Sequence, residues 1–556
     1  MTPSSGEDGS QRDSVAAGSP ADDTEMPGES PHFDVVVVGA GIGGIYATYK
    51  FREQGLSVRC IEGAGGVGGV WYHNRYPGAR VDVDSFDYCY YFSEDLYRDW
   101  EWSERYAAQP ELLAYLNHVT DRFDLRQHMR FDTWVTGAEW NSDQHRYVIT
   151  TSRGDRCTAQ FLVMATGMLS AARTPDFSGL EDFEGEWVQT SHWPDHPVDW
   201  AGKRVAVIGT GSSGVQTVPV VAEDARHVHV FQRTPNYSVP ARNGPMDAAT
   251  WREIASDLDK ARQDLYGHAG ATHIVYGDEP ASRFTADERI EVLEQFWRDG
   301  GHGFGRVFSD QGLDADVNDL VADFVRDKIR STVDDPETAE RLCPWDHPIG
   351  TRRLVLDIGY YESFNRDNVT LVDARDEAIE HLTATGIQTS GRHYEVDLII
   401  FALGFHAFTG AIDRAGIRND QGASPTDHWD RGPRTFLGVM TAGFPNFFML
   451  TGPGSPSVLA NMTIGNEFHV DWVAQVIEHL RTEGKSMVEP TAEGEAAWVA
   501  EVAAVSDRLL RRRVRNYMVH INDDDDDEFV FIPYAGGFNR YVERVESIGY
   551  DGLSFR

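Results

Sequence analysis

The chain has 556 residues, 41% of them hydrophobic and 25% charged, so it is long enough for two or three domains with well-buried cores. Its formal net charge of −38 at pH 7 repels the phosphates of nucleic acids and of anionic membranes, which argues against both as main partners. The composition therefore favours a protein that acts on small molecules.

The N-terminal residues 1–31 are mostly Ser, Gly, Pro, Asp and Glu and predict a disordered acidic tail. They contain no signal-peptide pattern, and no apolar run reaches the roughly 20 residues of a membrane span.

The cysteines are scattered without a CxxC pair, so no metal site is predicted: Cys60, Cys89, Cys157 and Cys343. We expect a cytoplasmic protein with reduced thiols, no membrane contact, and a monomeric or weakly oligomeric state. The acidic run 523–528 predicts a solvated loop.

Two glycine-rich turns each follow an apolar strand and precede a segment that can be a helix. The first turn contains Gly39, Gly41 and Gly44, and the second runs through Gly209, Thr210, Gly211, Ser212, Ser213 and Gly214. Such turns present backbone N–H groups at a helix start to a pyrophosphate. Two of them predict two dinucleotides held face to face, as hydride transfer between them requires.

The residue that ends the following strand differs between the two units. The first unit ends on Glu62, whose carboxylate can accept hydrogen bonds from an adenosine ribose, which favours FAD or NAD. The second ends on Arg233, followed by Thr234, and a planar cation suits a ribose 2′-phosphate. The second site is therefore predicted to bind NADPH.

These units predict an α/β fold with two Rossmann-like domains, the second inserted into the first. Apolar strands that end at Gly167 and Gly404 are where the chain is expected to cross between them. A helix is predicted over 287–297 from its apolar spacing, within a helical insertion in the second domain. The predicted boundaries are 32–165 and 398–556 for the first domain, 166–242 and 349–397 for the second, and 243–348 for the insertion.

Several segments resemble the class B flavoprotein monooxygenases, and specifically the Baeyer–Villiger monooxygenases. The segment FEGEWVQTSHWP at 183–194 is similar to the family fingerprint F-x-G-x-x-x-H-x-x-x-W-P. Further similar segments are VWYHNRYPGARVD (70–82), FQRTP (231–235), GTRR (350–353) and GPGSPSVLANM (452–462). Their order is most similar to the phenylacetone and steroid monooxygenase branch.

The resemblance implies FAD, NADPH and O2, with one oxygen atom inserted beside a ketone carbonyl through an anionic C4a-peroxyflavin to give an ester or lactone. It implies that Arg353 is the catalytic cation and that Asp82 orients it. It also implies that Arg352 joins Arg233 on the 2′-phosphate. An arginine is suited to hold an anion because its pKa is too high for it to give up a proton.

Further cofactor contacts follow from family positions. On the FAD side they are Gly69, Val70, Trp71, Tyr72, His73, Asp82, Tyr88, Val135 and Met462. On the NADP side they are the second glycine turn together with Gln216, Arg233, Thr234 and Arg352. Val458 and Leu459 are predicted to shape the substrate pocket.

Three positions depart from the family pattern. Gln189 stands where the fingerprint has a histidine, with His192 three positions later. Asn516 stands where a tryptophan closes the NADP site, and Leu403 stands where threonine is common. These departures imply a reshaped site or weaker coupling of NADPH use to oxygenation. Two alternatives remain open here: a flavin monooxygenase that oxidises nitrogen or sulfur, and a catalytically silent FAD- and NADP-binding protein.

Overall fold

The computed structural model describes residues 30–522 and 525–556. The predicted tail therefore lies outside the described residues up to position 29. The strands are β1 (His32–Val38), β2 (Val58–Ile61), β3 (Met129–Arg130), β4 (Val135–Asn141), β5 (Arg146–Thr151), β6 (Arg156–Met164), β7 (Glu186–Gln189), β8 (Arg204–Ile208), β9 (His227–Gln232), β10 (Ser238–Pro240), β11 (Val355–Asp357), β12 (Val369–Asp373), β13 (Ile379–Thr383), β14 (Gly386–Thr389), β15 (His393–Glu395), β16 (Leu398–Phe401), β17 (Ile417–Arg418), β18 (Phe447–Met449), β19 (Val488–Pro490), β20 (Val519–Asn522), β21 (Asp525–Phe531) and β22 (Leu553–Phe555).

The α-helices alternate with these strands in both halves of the chain. They are α1 (Ile42–Glu53), α2 (Val70–His73), α3 (Glu94–Arg98), α4 (Gln109–Arg122), α5 (Ser212–Asp224), α6 (Ala248–Ser256), α7 (Leu258–Tyr266), α8 (Ala286–Asp299), α9 (Ala315–Thr332), α10 (Pro336–Leu342), α11 (Tyr360–Ser363), α12 (Gly410–Arg414), α13 (Pro425–His428), α14 (Met462–Thr482), α15 (Ala492–Ser506) and α16 (Phe538–Ile548). Helix α1 begins directly after Gly41 of the first glycine turn, where a helix was expected to follow.

The first sheet has the order β17-β4-β5-β6-β1-β2-β3, and β18 also pairs with β6. Its centre is parallel: β1 lies between β6 and β2, and the run Val35–Val38 is buried on both faces of the sheet. A continuous apolar run is typical of a parallel strand covered on both sides. Strands β4, β5 and β6 form an antiparallel meander at one edge.

The second sheet is entirely parallel, with the order β12-β9-β8-β16-β7. Its strands lie in the sequence between β6 and β17 of the first sheet, which confirms the nested α/β arrangement. One boundary needs correction. Strand β16 pairs with β8 and β7, so residues 398–401 belong to the second sheet and the chain returns to the first domain after Phe401.

The insertion consists of helices α6 to α10 with short 3-10 turns, and β10 pairs with β11 at its base. The helix predicted over 287–297 is α8, which is slightly longer. It begins at a capping box in which Thr285 and Glu288 exchange side-chain and backbone hydrogen bonds. The insertion therefore leaves the second domain and returns to it at neighbouring strands.

The C-terminal part returns to the first domain, where the long helix α14 packs against α1. The acidic run predicted as a loop is part of a hairpin instead, because β21 begins at Asp525 and pairs with β20; residues 523–524 lie outside the described part.

Within the described residues, no helix has the length and apolar character of a membrane span. All four cysteines are buried outside any disulfide.

Candidate functional site

The first glycine of each turn is required by the backbone. Gly39 and Gly209 have φ values of +103° and +111°, in the region that favours glycine. A Cβ atom would overlap the carbonyl oxygen of Ala165 at Gly39 and that of Ala402 at Gly209. Each turn therefore passes directly against a neighbouring strand end of its own sheet.

The middle glycine of each turn has no overlapping atom at the Cβ position. A Cβ on Gly41 would lie 3.5 Å from the Cα of Gly69, and a Cβ on Gly211 would have no atom within 4 Å. Helices α1 and α5 begin at these glycines with no side-chain cap and no acidic residue in the first turn. Their free N–H groups and the absence of side chains fit a pyrophosphate at each turn.

Glu62 lies at the end of β2 beside the first turn and is 7% exposed. Its Oε2 accepts a hydrogen bond from the Ala40 N–H at 2.6 Å, and its Oε1 accepts one from the Ala64 N–H at 2.8 Å. Burial raises the pKa of Glu62, although these backbone bonds oppose the shift. A carboxylate oxygen can accept more than one hydrogen bond, so Glu62 can also receive ribose hydroxyls.

Arg233 and Arg352 form a pair of neighbouring cations at the second turn. Burial lowers the pKa of Arg352; the charge of Asp346 opposes this shift, and the nearby charge of Arg233 adds to it. Neither guanidinium forms an ion pair with a carboxylate of the described residues. The Thr210 hydroxyl donates to the Thr234 carbonyl at 3.0 Å and so fixes the adjacent turn. Two neighbouring cations that lack a carboxylate ion-pair partner among the described residues fit a bound phosphate.

Arg353 and Asp82, which are 271 positions apart in sequence, meet in a two-pronged ion pair. Arg353 Nε donates to Asp82 Oδ2 and Nη2 donates to Oδ1, both at 2.7 Å. Arg353 Nη1 donates to the Val458 carbonyl at 3.2 Å. Burial acts to raise the pKa of Asp82, but Arg353 and His302 together hold it well below its usual range.

Several groups around this pair were missed by the sequence analysis. Tyr276 and Tyr517 both lie within electrostatic reach of Arg353, and burial raises the pKa of each hydroxyl while that charge opposes the shift. The Arg306 guanidinium lies 5.7 Å from the centre of the Tyr276 ring. No local pattern marks Tyr276 or Arg306, whereas Tyr517 directly follows the departure at Asn516 and could have been found there.

The predicted FAD contacts after Gly69 lie on the short helix α2. Trp71 Nε1 donates to the Tyr88 hydroxyl at 3.2 Å, so these two predicted residues are in contact. The rings of Tyr72 and His73 pack edge to face, with their centres 5.3 Å apart. Burial lowers the pKa of His73 to about 4, and the neighbouring His192 and Arg75 add to this. The segment therefore presents neutral aromatic groups.

The remaining predicted contacts are divided between two regions. Met462, Val458 and Leu459 pack in one apolar cluster with Met168 and Tyr517, next to the Arg353 contact. The Val135 side chain instead packs in the core on the other side of the first sheet. Only the backbone of Val135 is left to contact a ligand.

Gln216 on α5 bridges the two domains. The Tyr76 hydroxyl donates to Gln216 Oε1 at 2.8 Å, and Gln216 Nε2 donates to the Arg80 carbonyl at 3.2 Å. Both ends of the amide are used, and Asp82 lies two residues after Arg80. Gln216 therefore fixes the distance between the second glycine turn and the Arg353 pair.

The three departures from the family pattern have structural explanations. Gln189 Nε2 donates to the Arg173 carbonyl, while His192 stacks on His73 with ring centres 4.6 Å apart. Asn516 uses its amide locally, donating to the Val514 carbonyl at 2.8 Å and accepting from the Met518 N–H. Leu403 packs against the core of the second sheet. The departures thus change loop contacts without blocking either glycine turn.

Comparison with known proteins gives consistent matches. A family model described as pyridine nucleotide-disulphide oxidoreductase matches residues 36–292. The 2-oxo-Delta(3)-4,5,5-trimethylcyclopentenylacetyl-CoA monooxygenase of Pseudomonas putida is 38% identical over 95% of this chain and 98% of its own length. A Baeyer–Villiger monooxygenase of Pseudooceanicola batsensis is 39% identical over 94% of this chain and 95% of its own.

A solved structure of an oxidised steroid monooxygenase bound to NADP superposes with a TM-score of 0.90 and 48% identity, covering 95% of this chain and 99% of that one. These matches extend over nearly the whole chain. The chain therefore belongs to the Baeyer–Villiger monooxygenase family of flavoproteins.

Proposed function

We propose that this chain is an FAD-containing, NADPH- and O2-dependent monooxygenase that inserts one oxygen atom next to a ketone carbonyl, giving an ester or lactone. The observation that carries the proposal is the two-pronged Arg353–Asp82 pair, with 2.7 Å bonds, located beside the Val458 carbonyl. Arg353, held by Asp82, supplies a fixed positive charge where this reaction develops negative charge on oxygen.

The two glycine turns divide the cofactors between them. Glu62 and the α1 turn hold FAD, and the α5 turn with Arg233 and Arg352 holds NADPH. FAD supplies the chemistry that moves electrons from NADPH to dioxygen. The chain itself binds, aligns and shields these groups, and Gln216 connects helix α5 of the second turn to Tyr76 and Arg80 of the first domain.

Arg353 acts electrostatically. Its guanidinium stays charged at any working pH, so it cannot act as a proton donor, but it stabilises oxygen anions beside the reacting carbonyl carbon. Asp82 fixes the plane of the guanidinium through two bonds, and the Val458 carbonyl fixes Nη1. Such orientation matters because a misplacement of about 1 Å can cost about 10²-fold in rate.

The side chains beside the Arg353 contact favour an apolar ketone as substrate. The cluster of Val458, Leu459, Met462 and Met168 adjoins the Arg353 contact and offers hydrocarbon and thioether surface. The 48% identity to a steroid monooxygenase favours polycyclic ketones, and the Pseudomonas putida relative favours cyclopentenyl ketones. Aryl ketones and simple cycloalkanones complete the set to be compared.

The proposal also includes the domain boundaries, the cellular location and the oligomeric state of the enzyme. The first domain covers 32–165 and 402–556, the second covers 166–242 and 349–401, and the insertion covers 243–348. The enzyme works in the cytoplasm, in keeping with four buried cysteines outside disulfides. It is a monomer or weak oligomer, which light scattering after size-exclusion chromatography tests directly.

The deciding experiment measures NADPH consumption and ester yield together, over a panel of polycyclic, cyclopentenyl, aryl and simple cyclic ketones, with a thioether as comparison. We expect at least one ketone to give ester in near-equal amount to NADPH consumed. Arg353→Ala is expected to keep flavin reduction by NADPH and to lose ester. Sulfoxide from the thioether without ester from any ketone would favour the nitrogen- and sulfur-oxidising alternative. Failure of NADPH to reduce the flavin would favour the silent alternative.

A further inference from the structure

His302 comes from the helical insertion and lies against the Arg353–Asp82 pair. Its Nε2 is 3.3 Å from Asp82 Oδ2, the same oxygen that accepts a hydrogen bond from Arg353 Nε. The His302 side chain is 14% exposed. Three separate parts of the chain therefore meet at one carboxylate: the first domain, the second domain and the insertion.

The His302–Asp82 contact is close enough for a hydrogen bond. His302 Nε2 is buried and has no other hydrogen-bond partner among the described residues. A buried ring nitrogen without a partner costs free energy. Asp82 Oδ2 lies 3.3 Å away, and a hydrogen bond to this oxygen would satisfy Nε2.

The backbone before His302 is built to present this side chain. Gly300 and Gly301 have φ values of +67° and +78°, which favour glycine. The Gly301 N–H donates to the Pro240 carbonyl at 2.9 Å, and a Cβ at Gly301 would lie 2.5 Å from the Tyr106 hydroxyl. The turn between α8 and His302 is thus fixed against both β10 and the first domain.

We propose that His302 is a positioning residue that holds Asp82 Oδ2 from the helical insertion and thereby orients the Arg353 guanidinium. The inference rests on the proposed function of Arg353. His302 acts through Asp82 and needs no direct contact with substrate or cofactor.

The test compares two replacements of similar size in the FAD-loaded enzyme. His302→Gln keeps a side-chain N–H that can reach Asp82, and His302→Leu removes it. We expect the Leu variant to lose about 10-fold in kcat for ester formation, the effect of one weak hydrogen bond to a charged group, with more hydrogen peroxide released per NADPH. The Gln variant is expected to stay within about 3-fold of the original, and the KM for NADPH within about 2-fold in both.

A crystal structure of His302→Leu supplies a readout that does not depend on turnover. We expect Arg353 Nη1 to lose its 3.2 Å contact with the Val458 carbonyl, while the melting temperature of the variant shows an intact fold. An undisturbed guanidinium, or an equal loss in the Gln and Leu variants, overturns the inference. If the unmodified enzyme makes no ester from any ketone, the proposed function fails instead, and the position of Arg353 in the variant alone decides the inference.

Discussion

Arg233 and Arg352 are predicted to select NADPH over NADH, and removing either cation tests this. The two side chains are close enough for the charge of Arg233 to help lower the pKa of Arg352, and neither has a carboxylate ion-pair partner among the described residues. A 2′-phosphate between them would relieve their mutual repulsion. NADH lacks that phosphate and should not respond to either substitution.

The expected size of the effect follows from exposure. A charge-assisted hydrogen bond contributes about 1.5–3 kcal/mol, which corresponds to about 10- to 100-fold in affinity. Arg233 is exposed and Arg352 is half-buried, so water screens Arg233 more strongly. We expect Arg233→Ala to raise the KM for NADPH near the lower end of this range and Arg352→Ala near the upper end.

The assay is the steady-state KM for NADPH and NADH, with the rate of flavin reduction measured alongside. Arg392→Ala is the matched control, because that exposed arginine stacks on Tyr394 of β15, which is not part of the glycine turn. The KM for NADH is expected to change by less than about 2-fold in every variant. A parallel rise in both KM values, or no rise for NADPH, would refute the 2′-phosphate assignment.

Three further outcomes are expected. Asp82→Asn should lower ester formation by about 10²-fold, because Arg353 loses one of its two orienting acceptors. NADPH should still reduce the flavin in this variant. An unchanged ester yield would contradict the prediction. Gly211→Ala should leave the melting temperature unchanged, because no atom lies within 4 Å of the added Cβ. The same substitution should raise the KM for NADPH by at least about 10-fold. An unaltered KM would place the pyrophosphate elsewhere. Burial raises the pKa of Glu467 from 4.5 to about 7. Between these pH values the folded state holds a proton that the unfolded chain releases. This group therefore makes the protein less stable as pH rises from about 4.5 to 7. Glu467→Gln should therefore gain melting temperature relative to the original protein at pH 8 and not at pH 4, and an equal difference at both pH values would contradict the shift.

The sequence allowed the nucleotide turns to be predicted because their physics is local. Gly39 and Gly209 need a positive φ and a close approach to a neighbouring strand, which only glycine allows without strain. The charge at the end of the next strand, Glu62 or Arg233, likewise follows the turn at a regular spacing. These features depend on residues close together in the sequence, so short segments are enough to predict them.

Long-range features could not be obtained in this way. The meeting of Arg353 with Asp82 across 271 positions was implied only by the family resemblance, and nothing near His302 indicates its approach to that pair. The apolar run 398–401 fits a strand in either sheet, so its place beside β8 required the fold. The acidic run was predicted as a loop because like charges repel, yet its later residues pair with β20.

Incubation of the enzyme with NADPH, a ketone that it accepts and ¹⁸O-labelled dioxygen tests the central claim most directly. The account predicts one labelled oxygen atom per ester molecule, in the bridging position next to the former ketone carbon, and predicts that Arg353→Ala makes none. An ester without label, or NADPH oxidation that ends only in hydrogen peroxide with every ketone tried, would contradict it.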